Sequence, residues 1–118
     1  MPLSLIKQHQ VDTLSKIAAR DLETAKVLFE HSPHLYESIG FYCQQAVEKL
    51  LKATLAGSGI AFPRTHDLMR LADLLPSHLQ LSDELADEAA ALNIFAVQHR
   101  YELDEAPGVN AAMLVASA

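Results

Sequence analysis

Apolar residues recur along this chain with the spacing of helices. From Thr13 to about Glu30, Leu14, Ile17, Ala18, Leu22, Ala25, Leu28 and Phe29 follow i, i+3, i+4 spacing, which predicts an amphipathic helix. Asp12 or Thr13 is placed to cap it. His31-Ser32-Pro33 is placed to stop it, because proline disfavours helical geometry in the residue before it. A second stripe (Ile39, Cys43, Ala46, Val47, Leu50, Leu51, Thr54) ends at Gly57-Ser58-Gly59, and glycine just past the last turn is a common stop. Beyond the loop 57–64, Thr65 is placed to cap a short helix with Leu68, Leu71, Ala72 and Leu75 on one side, closed by Pro76. Ser82 then caps a fourth helix, with Asp83 and Glu84 in its first turn where the helix dipole favours negative charge.

The fourth helix has two apolar stripes. One is Leu85, Ala89, Leu92, Phe95, Ala96 and His99; the other is Ala90, Ile94, Val97 and Tyr101. A helix apolar on two sides is sandwiched, either in the middle of a bundle or against a second subunit. No alternating strand pattern competes, and the short connections favour antiparallel neighbours. The expected fold is all-α, an up-and-down antiparallel four-helix bundle with one short helix. Residues 109–118 are placed to start a short fifth helix, marginal unless packed. Residues 1–12 read equally as a tail or as an extension of the first helix.

Length and charge narrow the picture. The 118 residues fit one domain, 1–118, with its core at about 13–103. Nine basic and fifteen acidic residues give a net charge of −6, which argues against a general nucleic-acid coat while leaving room for a local basic patch. A single cysteine, Cys43, provides no disulfide framework and fits a reducing cytoplasm. The N-terminus lacks a cationic segment followed by an apolar run, which points away from secretion. No stretch approaches the ~18 apolar residues of a membrane span.

The chemistry-bearing residues are few. His31 and His34 flank Pro33 in a predicted turn, and neither they nor His66 or His99 have helix-spaced ligand partners, so no metal or other cofactor is expected. Cys43 falls on the buried stripe of helix two and reads as a core residue. Gly57-Ser58-Gly59 lacks the Lys-Ser/Thr that completes a phosphate loop. Asp21 lies at the edge of an apolar stripe, either as a boundary carboxylate or as a buried polar anchor. Gln45, Glu48, Lys49 and Lys52 group on one side of helix two; a solvated, salt-bridged face is the first reading, a polar cleft for a phosphate the second. Near the end of helix four, Arg100 is either a dipole-favoured cation or a bidentate clamp for an anion. His99 sits on the core stripe, where packing is the simpler role.

The ordered set Ala18-x-x-Asp21-Leu22-x-x-Ala25, the run from Gly40 to Ala53 (Gly-Phe-Tyr-Cys-Gln-Gln-Ala-Val-Glu-Lys-Leu-Leu-Lys-Ala), Pro63-Arg64-Thr65-His66-Asp67-Leu68 and Arg100-Tyr101 resembles the HEPN family, helical domains associated with nucleotidyltransferases. The resemblance implies a helical bundle that pairs into a homodimer, with the fourth helices meeting around a cleft. It also implies a toxin–antitoxin-like context, with a separately encoded nucleotidyltransferase as partner. The family's ribonucleases follow an arginine, after four to six residues, by a histidine. Arg100 matches the arginine, but the stretch Tyr101 to Pro107 holds no histidine.

The expectation is therefore a non-catalytic homodimeric module that binds a nucleotide or RNA phosphate, a partner nucleotidyltransferase, or both. Arg100, Lys49 and His66 would contact phosphate, Tyr101 would stack or seal, and Gln45 and Glu48 would orient them. The alternative is a metal-independent ribonuclease using Arg100 with a displaced histidine, His99 or His66.

Overall fold

The computed structural model describes residues 2–105, apart from the side chains of Leu3 and of residues 97–105. Those residues form four α-helices, α1 (Leu3–His31), α2 (Tyr36–Gly57), α3 (Leu68–Asp73) and α4 (Asp83–Glu105), with a 3-10 turn at Ser77–Leu79 before α4. There is no strand among them. The all-α expectation holds, and the proposed fifth helix at 109–118 lies outside the described residues.

Helix α1 begins ten residues before the expected start at Thr13. No glycine or proline interrupts Leu3 to Asp12, and Pro2 stands just outside the helix, its carbonyl accepting from the amides of Leu5 and Ile6. Asp12 is consequently an interior residue that accepts a hydrogen bond from Gln8 at 2.9 Å, one turn back, and does not cap. The cap of α3 also moves. Asp67, immediately before the first helical residue, accepts from the amides of Met69 (3.0 Å) and Arg70 (3.4 Å). Thr65 instead receives the amide of Asp67 at 3.1 Å and shapes the preceding turn. Ser82 caps α4 as its sequence predicts, taking the Leu85 amide at 3.2 Å.

Helix α2 is the centre of the molecule. It packs against α1 on one side and against α3 and α4 on the other, while α1 and α4 do not meet among the described residues. Alanines make the first seam. Among the described side chains of α1, Ala18 and Ala25 are the buried ones, and their short side chains let it lie close along α2.

The larger side chains fill the second seam, where Leu51 and Leu55 of α2 cluster with Leu68, Leu71, Ala72 and Leu75 from the α3 segment and Ala89 of α4. Leu55, Leu68 and Leu71 are fully enclosed, each worth about 1.5–3 kcal/mol of burial. At the other end of α2, Gly40 lies against the Phe95 ring of α4. Early α2 thus meets late α4 while late α2 meets early α4, so the two helices are antiparallel.

The double stripe on α4 resolves into an inner and an outer face. Ala89 and Ala96 are buried, and Leu92 and Phe95 half-buried. On the outer face Ala90 is exposed and Ile94 is 55% exposed, and Leu85 at the start of α4 is open as well. The central position belongs to α2, which leaves Ala90 and Ile94 of the outer stripe uncovered within one chain, while the side chains of Val97 and Tyr101 lie outside the described set.

Candidate functional site

Glu48 is the organising residue of the polar cluster. Its side chain is fully buried on α2, in the turn after fully buried Gln44, and both face the loop that leads into α3. One carboxylate oxygen lies 2.7 Å from Nδ1 of His66. The other accepts from the ammonium of Lys49 at 2.9 Å and of Lys52 at 3.2 Å. Burial by itself would raise the pKa of Glu48. The hydrogen bonds from Lys49 and His66, the charge of Lys49 and the bond from Lys52 outweigh it, and the pKa falls below the ordinary carboxylate value. Glu48 is therefore ionised at neutral pH. The solvated-face reading of this group is overturned at Glu48, because the loop 63–67 folds over it.

That loop is tied down from two helices. The side-chain amide of Gln44 donates to the His66 carbonyl at 2.9 Å, and Gln45 donates to Gln44 at 2.7 Å. From α4, Asn93 donates to the Asp67 carboxylate at 2.9 Å and accepts the Leu68 amide at 2.9 Å. Asp67 is thus held by Asn93 while it caps α3. No buried side-chain polar atom among the described residues is left without a partner.

Asp21 on α1 stands at the margin of the cluster. Desolvation raises its pKa, opposed by the charges of Arg20 and Lys49 and reinforced by Glu48. It is a half-buried carboxylate coupled to the α2 group. Cys43 lies on the far side of α2, half-buried in an apolar groove with Leu22, Ala25, Phe29 and Ile39. Burial pushes its thiol pKa up, which keeps it protonated and unreactive.

The structure brings Gln45, Glu48, Lys49 and His66 together. His99, Arg100 and Tyr101 lie on the last turns of α4, and their side chains are outside the described set. Arg100 follows Phe95 by five residues, about 7.5 Å of helical rise, and Glu48 follows Gly40 by eight, about 12 Å. Because α2 and α4 are antiparallel, those distances add, and within one chain the backbone of Arg100 stands on the order of 20 Å from that of Glu48 along the bundle. Two residues of the cluster, Gln44 and Asn93, escaped the reading of the sequence. Their signals were Gln44 one turn before Glu48 and a lone amide within the apolar run from Ala89 to Ile94.

Among the described residues no group of three or more His, Cys, Asp or Glu side chains is arranged to hold a metal ion, and no helix is long and apolar enough to cross a membrane. A central helix flanked by partners on both sides, with a polar knot between α2 and the segment before α3, defines a small all-α module. The family model of the HEPN domain matches residues 11–113, so the chain belongs to the HEPN family. No curated protein and no solved structure gives a significant match.

Proposed function

We propose that this HEPN domain works as a homodimer that binds the phosphates of a nucleotide or RNA, in concert with a separately encoded nucleotidyltransferase in a cytoplasmic toxin–antitoxin-like setting. The observation that carries the reading is the exposed pair on the outer face of α4, Ile94 at 55% with Ala90 open one turn before it. An apolar line along a helix that already packs on its other side fits a second copy of the same surface. Pairing there gathers the ends of two α4 helices and their Arg100 residues. Arg100 supplies the bidentate anion contact and Tyr101 a stacking surface. Lys49 and His66, oriented by Gln45 and Glu48, form a second contact on each chain. With these positions on the order of 20 Å apart in one chain, a strand with several phosphates reaches both and a single nucleotide reaches one, which favours RNA.

Sedimentation velocity at micromolar concentration tests the dimer. The expected result is a dimer that Ile94→Glu converts to a folded monomer. A strict monomer for the unmodified chain overturns this reading. Fluorescence polarisation with a labelled single-stranded RNA, with ATP and GTP as competitors, tests the ligand. Binding is expected to weaken at least tenfold in Arg100→Ala, and absence of any binding leaves only a dimerising adaptor.

A further inference from the structure

Two aromatic rings are left open at the corner where α1 passes into α2. Phe29, in the last turn of α1, and Tyr36, the first residue of α2, are each 67% exposed, more than any other large apolar side chain among the described residues. Further along α2, Phe41 and Tyr42 meet edge to face at 5.4 Å, whereas among the described residues no ring packs on Phe29 or Tyr36. Ile39, one turn after Tyr36, lines an apolar groove with Leu22, Ala25 and Phe29 of α1 and with Cys43. Lys26 and Glu30 complete the lining. The groove holds about 270 Å³, just under the ~300–1,000 Å³ of pockets that enclose a drug-sized ligand, so it suits one flat ring system and not a whole nucleotide. Two open rings beside a groove make an apolar patch of the kind that marks a binding site.

The same corner is level with Arg100. Gly40 of α2 lies against the Phe95 ring of α4. Tyr36 precedes Gly40 by four residues, about 6 Å of helical rise, and Arg100 follows Phe95 by five, about 7.5 Å. Because the two helices are antiparallel, both steps run the same way along the bundle, and the backbones of Tyr36 and Arg100 stand at nearly one height. Packed helices keep their axes about 8–10 Å apart, which puts the two positions within the span of one nucleotide. The other end of α4 carries Asp83, Glu84, Asp87 and Glu88, with no lysine or arginine between Arg70 and Arg100, so an anionic strand is directed away from it and toward this corner.

We propose that Phe29 and Tyr36 form a stacking platform for the bases of single-stranded RNA, next to a phosphate held by Arg100. The platform rests on the reading that RNA phosphates bind at Arg100, and adds the part that holds the bases. Tyr36 takes the base joined to that phosphate, and Phe29 takes its neighbour over the groove. Every base has a flat π face, so such a platform accepts any sequence.

The sequence contains no tryptophan, so the indole in Tyr36→Trp reports on this position alone. That variant is titrated with a single-stranded RNA and with a strand of the same length made of abasic residues, which keeps the phosphates and removes the bases. Fluorescence polarisation follows binding to the unmodified chain, Tyr36→Trp and Tyr36→Ser. The expected result is an indole quenched by RNA and not by the abasic strand. Tyr36→Ser is expected to bind RNA about tenfold more weakly, with its melting temperature held, and to bind the abasic strand as the unmodified chain does. RNA that binds without quenching the indole, or equally to Tyr36→Ser and the unmodified chain, overturns the platform and leaves the phosphate reading standing. An indole already shielded from acrylamide before RNA is added, and unmoved by it, assigns the corner to a protein contact and overturns the platform as well. RNA bound by none of the three chains overturns both readings.

Discussion

A Cβ atom added to Gly40 would lie 2.5 Å from the ring carbons of Phe95, closer than any real packing contact. The absence of a side chain at Gly40 is what allows α2 and α4 to meet at this point. Gly40→Ala therefore forces the ring aside and is expected to cost about 1–3 kcal/mol by overpacking. Adding Phe95→Ala should recover part of that loss, because the two sites share one contact and do not add independently. Urea denaturation of both single variants and the double variant measures the coupling, and additive effects would contradict the close approach.

Asn93 bridges α4 to the His66 loop through both ends of its amide. Asn93→Ala leaves the amide of fully buried Leu68 without its acceptor, a loss of about 1–3 kcal/mol. Asn93→Asp keeps an acceptor for Leu68 but sets a carboxylate against Asp67, so it should be no better than alanine at neutral pH and recover in acid. Hydrogen exchange at the Leu68 amide, together with thermal melting, reads this out.

Glu48 ties stability to pH. Its pKa in the folded chain is depressed below the unfolded value of 4.5, so its contribution is complete well above 4.5 and is lost as pH falls through the lower folded value. Glu48→Gln is expected to be markedly less stable than the unmodified chain at pH 7, with the gap closing toward pH 3. A gap that stays constant across that range would show that the charge of Glu48 does not hold the loop.

Asp21 has the opposite sign. Desolvation raises its folded pKa above 3.8, so the ionised form costs stability at neutral pH and protonation relieves that cost as pH falls through the raised value. Asp21→Asn should raise the melting temperature at pH 7, and the gain should vanish in acid, where Asp21 is itself neutral. A loss of stability at pH 7 would mean that its attraction to Lys49 and Arg20 outweighs desolvation.

The helices were legible because their signals are local. The stripe through Leu14, Ile17, Ala18, Leu22 and Ala25 needs only the 3.6-residue repeat to be seen, and Ser82 marks its helix by its own hydroxyl. The cap of α3 was less legible, since Thr65 and Asp67 both carry capping oxygens and the choice depends on where the first helical residue falls. Of the site, the grouping of Gln45, Glu48, Lys49 and Lys52 could be read from helical spacing. That Glu48 is enclosed could not, because the cover comes from His66, eighteen residues on.

The sequence by itself determined the helical class, the apolar faces and the family, since each rests on residues within a few turns of one another or on their order along the chain. Only the tertiary structure decided that α2, and not α4, lies in the middle, and that Gln44, Glu48 and Asn93 join in holding one loop. It also set the polar cluster apart from Arg100 along the bundle. These depend on which helices lie side by side and in which direction they run, and the energy that selects that arrangement comes from burial between segments far apart in the chain.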